Sequence, residues 1–301
     1  MNAAANNAGL LKPDDLAGLG NLELIARAIV DGFMNGLHKS RDFGFSQEFA
    51  EYKAYNEGDD TRFIDWGVYG RSDRLFIKRF DGETNTRVTL LLDASASMDY
   101  GSGSLTKLDY AKMLVAALAW LAARQHDTVG LTVFDDSVRQ EIPPGFGMKK
   151  VRRLLTQLAS VEAEAGTELT EPLQAFAGRR PRRGLVFVVS DFYCDPAALL
   201  SSLQPLAWTG QDITLLHVLD PTETAPKPQD NVLYEDVETG ETVEVSRDFL
   251  SREYPARIAA HIDALDRAAR AVGATHQLMP SNESPGAALR AYWQRRQARG
   301  G

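Results

Sequence analysis

The chain has 301 residues with 44% hydrophobic and 25% charged side chains, a composition that is ordinary for globular proteins and sufficient to bury a large core. Its formal net charge of −8 argues against a general nucleic-acid binder. The single cysteine, Cys194, excludes an internal disulfide framework and fits a reducing compartment. The N-terminus lacks a signal-peptide pattern, and no uncharged apolar run reaches the roughly 18 residues of a membrane span. We therefore predict a cytoplasmic protein without a membrane span.

The first part of the chain is predicted to be a disordered stretch followed by a helical and irregular region. Residues 1–13 are mostly small and polar, and from Asp14 to Leu37 apolar residues recur at helical spacing. Further on, the acidic run 57–60 is most simply a turn, and Leu75–Phe80 has the composition of a strand. We accordingly divide the chain into a disordered N-terminus at 1–13, an N-terminal region at 14–85 and a domain at 86–301.

From residue 86 onward, apolar strands alternate with helices. The predicted strands are Val88–Leu92, Thr128–Phe134, Val138–Ile142, Leu185–Ser190, Ile213–Leu219 and Thr275–Leu278, with a further hairpin formed by Val232–Val237 and Thr242–Val245. The predicted helices are Leu105–Arg124, Met148–Leu158, one ending near Phe176, one capped by Asp195-Pro196, Arg252–Val272 and Gly286–Arg296. Several of the strands are entirely apolar, as strands buried on both faces are. The pattern predicts an α/β fold with a Rossmann-like, doubly wound, mostly parallel sheet.

Two of the buried strands end in an aspartate. Val88–Leu92 runs into Asp93, with Ser95 and Ser97 close behind, and Leu185–Ser190 runs into Asp191. In open α/β sheets, ligands bind beyond the carboxyl ends of the strands, so these side chains converge if the two strands are neighbours.

The converging side chains predict a metal site. Thr167, or Thr170 in the same loop, adds a hydroxyl, and Asp93, Ser95, Ser97, Thr167 and Asp191 then offer up to five oxygen donors. Hard oxygen donors suit Mg²⁺ first, with Mn²⁺ or Ca²⁺ as alternatives.

The run Asp-Ala-Ser-Ala-Ser-Met at 93–98 resembles the Asp-x-Ser-x-Ser motif of the metal-ion-dependent adhesion site in von Willebrand factor A-type domains. Thr167 and Asp191 match the second-loop threonine and third-loop aspartate of that family. The run from Tyr55 to Trp66, with Gly-Asp-Asp at 58–60 and Ile-Asp-Trp at 64–66, resembles the signature of the bacterial domain-of-unknown-function 58 family. Together the two resemblances cover most of the chain.

The resemblance implies a function as well as a fold. In A-type domains the serines and threonine hold the metal, the aspartates act directly or through water, and an acidic side chain of a partner completes the coordination shell. Relatives in the second family are typically encoded beside MoxR-type AAA+ ATPases. The resemblance therefore implies a non-enzymatic adaptor or substrate recruiter that works with such an ATPase in complex assembly or remodelling.

An enzyme is the alternative that the sequence leaves open. Asp93 could act as the nucleophile of a Mg²⁺-dependent phosphotransfer reaction, but the acid expected two residues later is Ser95, and no lysine stands out as a phosphate ligand. We also weigh the simplest interpretation, in which Asp93 only ends a strand and the serines only cap a helix. His217 and Cys194 are predicted to be packed core residues, and the basic run 178–184 a solvated loop able to guide an acidic partner.

Overall fold

The computed structural model describes residues 11–36, 49–55, 68–70, 74–80, 86–164, 166, 169–179, 181–226, 232–235, 242–245 and 247–299. By contacts, the chain divides into two compact units, one formed by Met1–His38 with Arg87–Gly301 and the other by Lys39–Thr86. This division splits the predicted N-terminal region 14–85, because its first helices belong to the unit that contains the large sheet. Within the described residues, no helix combines the length and apolar character needed to cross a membrane.

A six-stranded sheet forms the centre of the larger unit. Its strands are β3 (Arg87–Asp93), β4 (Thr128–Phe134), β5 (Val138–Phe146), β6 (Leu185–Ser190), β7 (Asp212–Leu219) and β10 (Thr275–Pro280), in the spatial order β10-β7-β6-β3-β4-β5. All neighbours are parallel except β4 and β5, which form an antiparallel edge. The predicted α/β fold with a doubly wound, mostly parallel sheet is confirmed.

Helices cover both faces of this sheet. They are α3 (Lys107–Arg124), α4 (Met148–Ala159), α5 (Thr170–Gly178), α6 (Pro196–Trp208), the short α7 (Pro221–Thr224), α8 (Tyr254–Ala271) and α9 (Pro285–Arg299). Helix α3 is buried along almost its whole length, which agrees with its apolar sequence. Successive side chains of β3, β6 and β7 point to opposite faces of the sheet. Those on one face pack against α5, α6 and α8, and those on the other face lie toward α3. Parallel strands covered in this way are necessarily apolar on both sides.

The apolar stripe of the N-terminal helix packs on the helical layer of the sheet. Where one helix was predicted from Asp14 to Leu37, the structure has two, α1 (Pro13–Ala17) and α2 (Leu22–Gly36), because Gly20 adopts a positive φ of 63°. Helix α2 lies against α3 and α9, where the Phe33 and Trp293 rings meet edge to face with centroids 6.5 Å apart. Residues 1–10 of the predicted disordered N-terminus lie outside the described residues.

Two small antiparallel pairs complete the described structure. In the smaller unit, β1 (Phe49–Ala54) pairs with β2 (Phe76–Phe80). In the larger unit, β8 (Val232–Glu235) pairs with β9 (Thr242–Val245), as predicted for the hairpin. Glu57–Asp60 and most of the run that ends at Trp66 lie outside the described residues, so the structure adds nothing to the interpretation of that motif.

Candidate functional site

The site is organised by two adjacent parallel strands. Strands β3 and β6 pair directly, with Leu92 opposite Val189, so Asp93 and Asp191 follow at the same edge of the sheet. Both side chains are buried, Asp93 at 2% exposure and Asp191 at 0%. The structure therefore brings together the strand ends whose convergence the sequence predicted.

Asp93 is held by hydrogen bonds to both of its carboxylate oxygens. The Ser95 backbone N–H donates to Oδ1 at 2.9 Å, and the Ser190 hydroxyl donates to Oδ2 at 2.6 Å. Ser190 itself is fixed, because its Oγ accepts the Phe192 backbone N–H at 2.9 Å. Phe192 has a positive φ of 50°, a strained value for a bulky residue that allows the chain to turn sharply after Asp191.

The two serines lie beside this carboxylate. The Ser95 and Ser97 hydroxyl oxygens are 3.1 Å apart, and Ser95 is fully buried. A 3-10 helix at Ala96–Asp99 follows, and Ser95 precedes it without capping it through its side chain. The hydroxyls are thus not used as helix caps, contrary to the simplest interpretation of the motif. Thr167 lies outside the described residues, so its predicted place in the site stays a prediction.

A buried lysine that was not predicted from the sequence lies in the same cluster. Lys107 is 1% exposed, and its Nζ lies 2.7 Å from Asp191 Oδ2 and 2.6 Å from Glu223 Oε1. The Tyr193 ring stands over the ammonium group with its centroid 5.0 Å away. A cation is disfavoured at a helix N-terminus, so this lysine at the first position of α3 depends on its two carboxylates.

Glu223 reaches the lysine from the far side of the site. It belongs to α7, which begins after β7, and its second oxygen accepts the Asp220 backbone N–H at 2.7 Å in a capping box. The sequence signal for this residue was Asp-Pro-x-Glu at 220–223, a helix start directly after a buried strand. Three strands, β3, β6 and β7, therefore send carboxylates to one place.

The protonation of the cluster reflects burial and crowding of charge. Burial, with a further contribution from the nearby Asp191 carboxylate, raises the pKa of Asp93 from 3.8 to about 7. Burial opposes the charge on Lys107, but Asp191 and Glu223 outweigh it and raise the pKa of the lysine. Burial also raises the pKa of Glu223, although Lys107 acts in the opposite direction. The raised pKa values of Asp93 and Glu223 mean that burial disfavours the ionised form of both carboxyl groups.

This donor set fits a hard divalent cation. When ionised, the three carboxylates exceed the one ammonium by two charges, and Asp191 Oδ1 is buried with no hydrogen-bond partner among the described residues. Asp93, Ser95, Ser97 and Asp191 would be the ligands, all of them through oxygen. Across the described part of the chain, no group of three or more His, Cys, Asp or Glu side chains is arranged to hold a metal ion. A cation bound here would therefore need the serine hydroxyls as well as the carboxylates.

Two residues that the sequence assigned to the core are indeed packed there. His217 is 0% exposed, lies edge-on to the Phe192 ring at 5.5 Å and contacts His276 through a 3.0 Å nitrogen–nitrogen hydrogen bond. Its Nε2 is buried without a hydrogen-bond partner among the described residues, so the prediction of a satisfied core histidine is confirmed for its burial only. Cys194 is partly buried against the hydrophobic cluster on the α6 face. Asp195 caps α6 by accepting the Ala197 N–H at 3.1 Å, as predicted. None of these side chains is a candidate ligand.

Comparison with known proteins gives a family and a set of similar structures. A family model described as "Protein of unknown function DUF58" matches residues 51–264. The chain is 29% identical over 266 residues to Uncharacterized protein Rv1480 of Mycobacterium tuberculosis and to Uncharacterized protein Mb1516 of Mycobacterium bovis, covering 87% of this chain and 83% of each relative.

Three similar solved structures align with TM-scores below 0.5. Conserved hypothetical protein BatB from Bacteroides thetaiotaomicron aligns with 17% identity and a TM-score of 0.48, over 70% of this chain and 98% of that chain. An aerotolerance-related membrane protein from Bacteroides fragilis gives 19% and 0.47, over 69% and 97%. The SpRpn10 VWA domain gives 13% and 0.42, over 68% and 94%.

Proposed function

Because the chain belongs to the DUF58 family, whose model matches more than half of it, we propose that it is a metal-dependent protein–protein interaction module with a von Willebrand factor A-type adhesion site. The observation that carries the proposal is the convergence of Asp93, Ser95, Ser97 and Asp191 at the carboxyl edge of the sheet. Thr167 is the proposed fifth ligand, supported by the sequence motif alone.

The proposed role follows from the charge of these groups. The bound cation would supply a Lewis-acidic position to which a carboxylate of a partner protein can bind. The two hydroxyl ligands are neutral, so they leave the cation more positive than an all-carboxylate set would. Mg²⁺ is the proposed ion, with Mn²⁺ and Ca²⁺ as alternatives.

Lys107 acts in this proposal as a positioning residue. Its ammonium holds Asp191 Oδ2 and Glu223 Oε1, which leaves the unbonded Oδ1 of Asp191 for the ion. Its ion pair with Glu223 also connects the start of α3 to α7, and its ion pair with Asp191 connects α3 to the end of β6. The Ser190 hydroxyl and the Ser95 backbone N–H orient Asp93 by bonding one oxygen each, and each oxygen keeps a lone pair for the ion.

We further propose that the partner is a MoxR-type AAA+ ATPase, or an acidic residue of one of its client proteins, and that the chain is an adaptor in the assembly or remodelling of a complex. This part rests on the resemblance of residues 55–66 and 93–98 to families with that association. We place the activity in the cytoplasm, on the basis of the single cysteine.

The experiment is a binding assay with the MoxR-type ATPase of the same organism, in Mg²⁺ and in EDTA, using wild type, Asp93→Ala and Ser97→Ala. We expect binding to require Mg²⁺ and to weaken at least about tenfold in both variants, because each removes a ligand. Ser201→Ala is the matched control, since this exposed hydroxyl bonds only the Ala198 carbonyl. Binding that is equal in EDTA and in both site variants would rule out the metal-dependent mechanism.

A Mg²⁺-dependent phosphotransfer enzyme with Asp93 as nucleophile is the second candidate, and Lys107 is the observation that favours it. Lys107 places a cation beside Asp191, where none was identified from the sequence. Against it, both Asp93 oxygens are hydrogen-bonded at 2% exposure, and the Lys107 ammonium already bonds two carboxylates. A screen with phosphomonoesters and Mg²⁺ decides the matter: turnover that Asp93→Asn abolishes would establish the enzyme, and no turnover would remove it.

A further inference from the structure

The amino end of the sheet carries a basic and aromatic surface that the proposed function does not use. We call it the basic pole and define it by Arg87, Arg179, Arg182, Arg183 and Trp208. Arg87 begins β3, whereas Asp93 ends it, so the pole and the candidate metal site lie about 20 Å apart at opposite ends of the same strand. Three of its arginines belong to the basic run 178–184, whose positive charge is opposite in sign to the net charge of the chain.

The described backbone of this basic run is pinned to the sheet. The Gln211 side-chain amide donates to the Pro181 carbonyl at 3.0 Å and to the Arg182 carbonyl at 3.2 Å. Gly184 packs so closely on β3 that an added Cβ would lie 2.2 Å from the Arg87 carbonyl oxygen. The arginines therefore project from a fixed scaffold, which reduces the conformational entropy lost when a partner binds.

Trp208 is the most unusual side chain of the pole. It is 82% exposed, while the other tryptophans of the described structure, Trp120 and Trp293, are 8% and 6% exposed. It is the last residue of α6, and the chain then turns at Gly210, whose φ is 76°. An added Cβ at Gly210 would lie 3.8 Å from Arg183 Cδ, so the end of α6 and the basic run are adjacent.

The arginines of the basic pole differ in whether an acidic side chain pairs with them. Arg179 forms an ion pair with Glu141, whereas Arg182 and Arg183 are exposed and have no ion-pair partner among the described residues. A cavity of about 250 Å³ opens beside them, lined by Arg87, Arg179 and Arg182 together with the apolar Pro144 and Phe176. Arg182 and Arg183 thus stand near an exposed indole, and the cavity beside Arg182 is lined by the acidic Glu141 as well as by basic and apolar side chains.

We propose that the basic pole is a docking surface for an acidic segment of a partner protein. Arg182 and Arg183 would pair with carboxylates of that segment, and an apolar side chain of it would pack on Trp208. Arginine and tryptophan are the residues that most often dominate binding energy at protein interfaces. The overall charge of −8 favours a short acidic segment over a nucleic acid, because a long polyanion would also meet the acidic remainder of the surface.

The proposal stands independently of the metal site. Because the two sites lie at opposite ends of the sheet, one molecule can hold a partner at each, which is what an adaptor requires. The inference needs no cation, so its test is carried out in EDTA. Failure of the metal hypothesis and failure of this one are therefore distinguishable.

The test uses a short fluorescein-labelled peptide of glutamate and leucine, with a glutamine-for-glutamate peptide as the uncharged control, at low salt. Fluorescence anisotropy of the full chain should show binding of the acidic peptide only, and Trp208 emission should shift to shorter wavelength as the indole loses water. Arg182→Glu/Arg183→Glu and Trp208→Ala should each weaken binding about tenfold or more. Lys149→Glu/Arg153→Glu, the same charge change on the exposed face of α4, should weaken it less than about twofold.

Four results would overturn the proposal. Equal losses in the Lys149→Glu/Arg153→Glu control would mean that only net charge matters. Tighter binding of a single-stranded oligonucleotide of matched charge would make the surface a nucleic-acid site. Self-association in sedimentation that Arg182→Glu/Arg183→Glu abolishes would make the occupant a second copy of this chain. Binding of the uncharged peptide as strong as that of the acidic one would remove the role of the arginines.

Discussion

Charged side chains at the two ends of the central sheet differ in how deeply they are buried and in whether they form ion pairs. At the carboxyl end, Lys107 and Asp191 are buried at 1% and 0% side-chain exposure and bond each other at 2.7 Å. At the amino end, Arg182 and Arg183 are exposed and have no acidic partner among the described residues. Buried charges are costly to desolvate and must be paired, so they fix geometry, whereas exposed charges cost little and act at a distance.

The difference indicates two kinds of binding. The carboxyl end suits a ligand that must be placed within tenths of an ångström, such as a metal ion and one carboxylate. The amino end suits recognition by overall charge and by contact with an aromatic ring, which tolerates variation in the partner. Substitutions at the two ends should therefore differ sharply in their effect on stability.

The largest expected effect is that of Lys107→Met. It should lower the free energy of unfolding by about 3–5 kcal/mol, because Asp191 and Glu223 would remain buried without their cation. Urea denaturation in EDTA measures the loss, and Lys149→Met on the exposed face of α4 provides the control. Equal stability losses for the two variants would contradict the buried ion cluster.

Asp93→Asn is expected to raise the free energy of unfolding, by less than Lys107→Met lowers it. At pH 8 without metal, this variant should be more stable than wild type by about 2 kcal/mol, because it removes a buried negative charge beside Asp191. The pKa of Asp93 is raised to about 7 by burial and then by Asp191, so the folded protein binds more protons than the unfolded one. Relative to the asparagine variant, metal-free wild type should therefore lose stability as the pH rises from about 4 to about 7.

The asparagine variant should show much less of this pH dependence. Thermal unfolding in EDTA at several pH values gives the measurement. A stability difference between the two proteins that stays constant across that interval, or an asparagine variant less stable than wild type at pH 8, would mean that Asp93 is not a destabilising charge in the metal-free protein.

The smallest effect on stability is expected at the basic pole. Arg182→Glu/Arg183→Glu should change the free energy of unfolding by less than about 0.5 kcal/mol, because both side chains are exposed and their backbone anchors are untouched. Urea denaturation under the conditions used for Lys107→Met allows direct comparison. A loss above about 1 kcal/mol would show that these arginines are structural and would weaken the contrast between the two ends.

The strands and the meeting of Asp93 with Asp191 were predictable from the sequence, because uninterrupted apolar runs ending in an acid are typical of parallel strands. The extension of β5 through two prolines to Phe146 was not predicted. Strand β5 tolerates proline because it lies at the edge of the sheet and has no neighbouring strand on one side. Its edge position is set by the tertiary fold, so it could not be read from the local sequence.

Lys107 and Glu223 could not be selected from their local sequence. Each lies at a helix start that also has an ordinary explanation, and their pairing joins segments far apart in the chain. The available signal was a lysine where the helix dipole disfavours a cation, followed by an almost entirely apolar helix. Such a residue has to be paired, but only the fold identifies its partners.

The most direct test of the central claim is calorimetric titration of Mg²⁺ into chelator-treated protein, with Mn²⁺ titrated in parallel and followed by its electron paramagnetic resonance signal. Wild type and the Ser201→Ala control should bind one ion per chain. Asp93→Ala and Ser97→Ala should bind at least about tenfold more weakly while remaining folded. If wild type binds no divalent cation, or if all four proteins bind it equally, then Asp93, Ser95, Ser97 and Asp191 do not form a metal site.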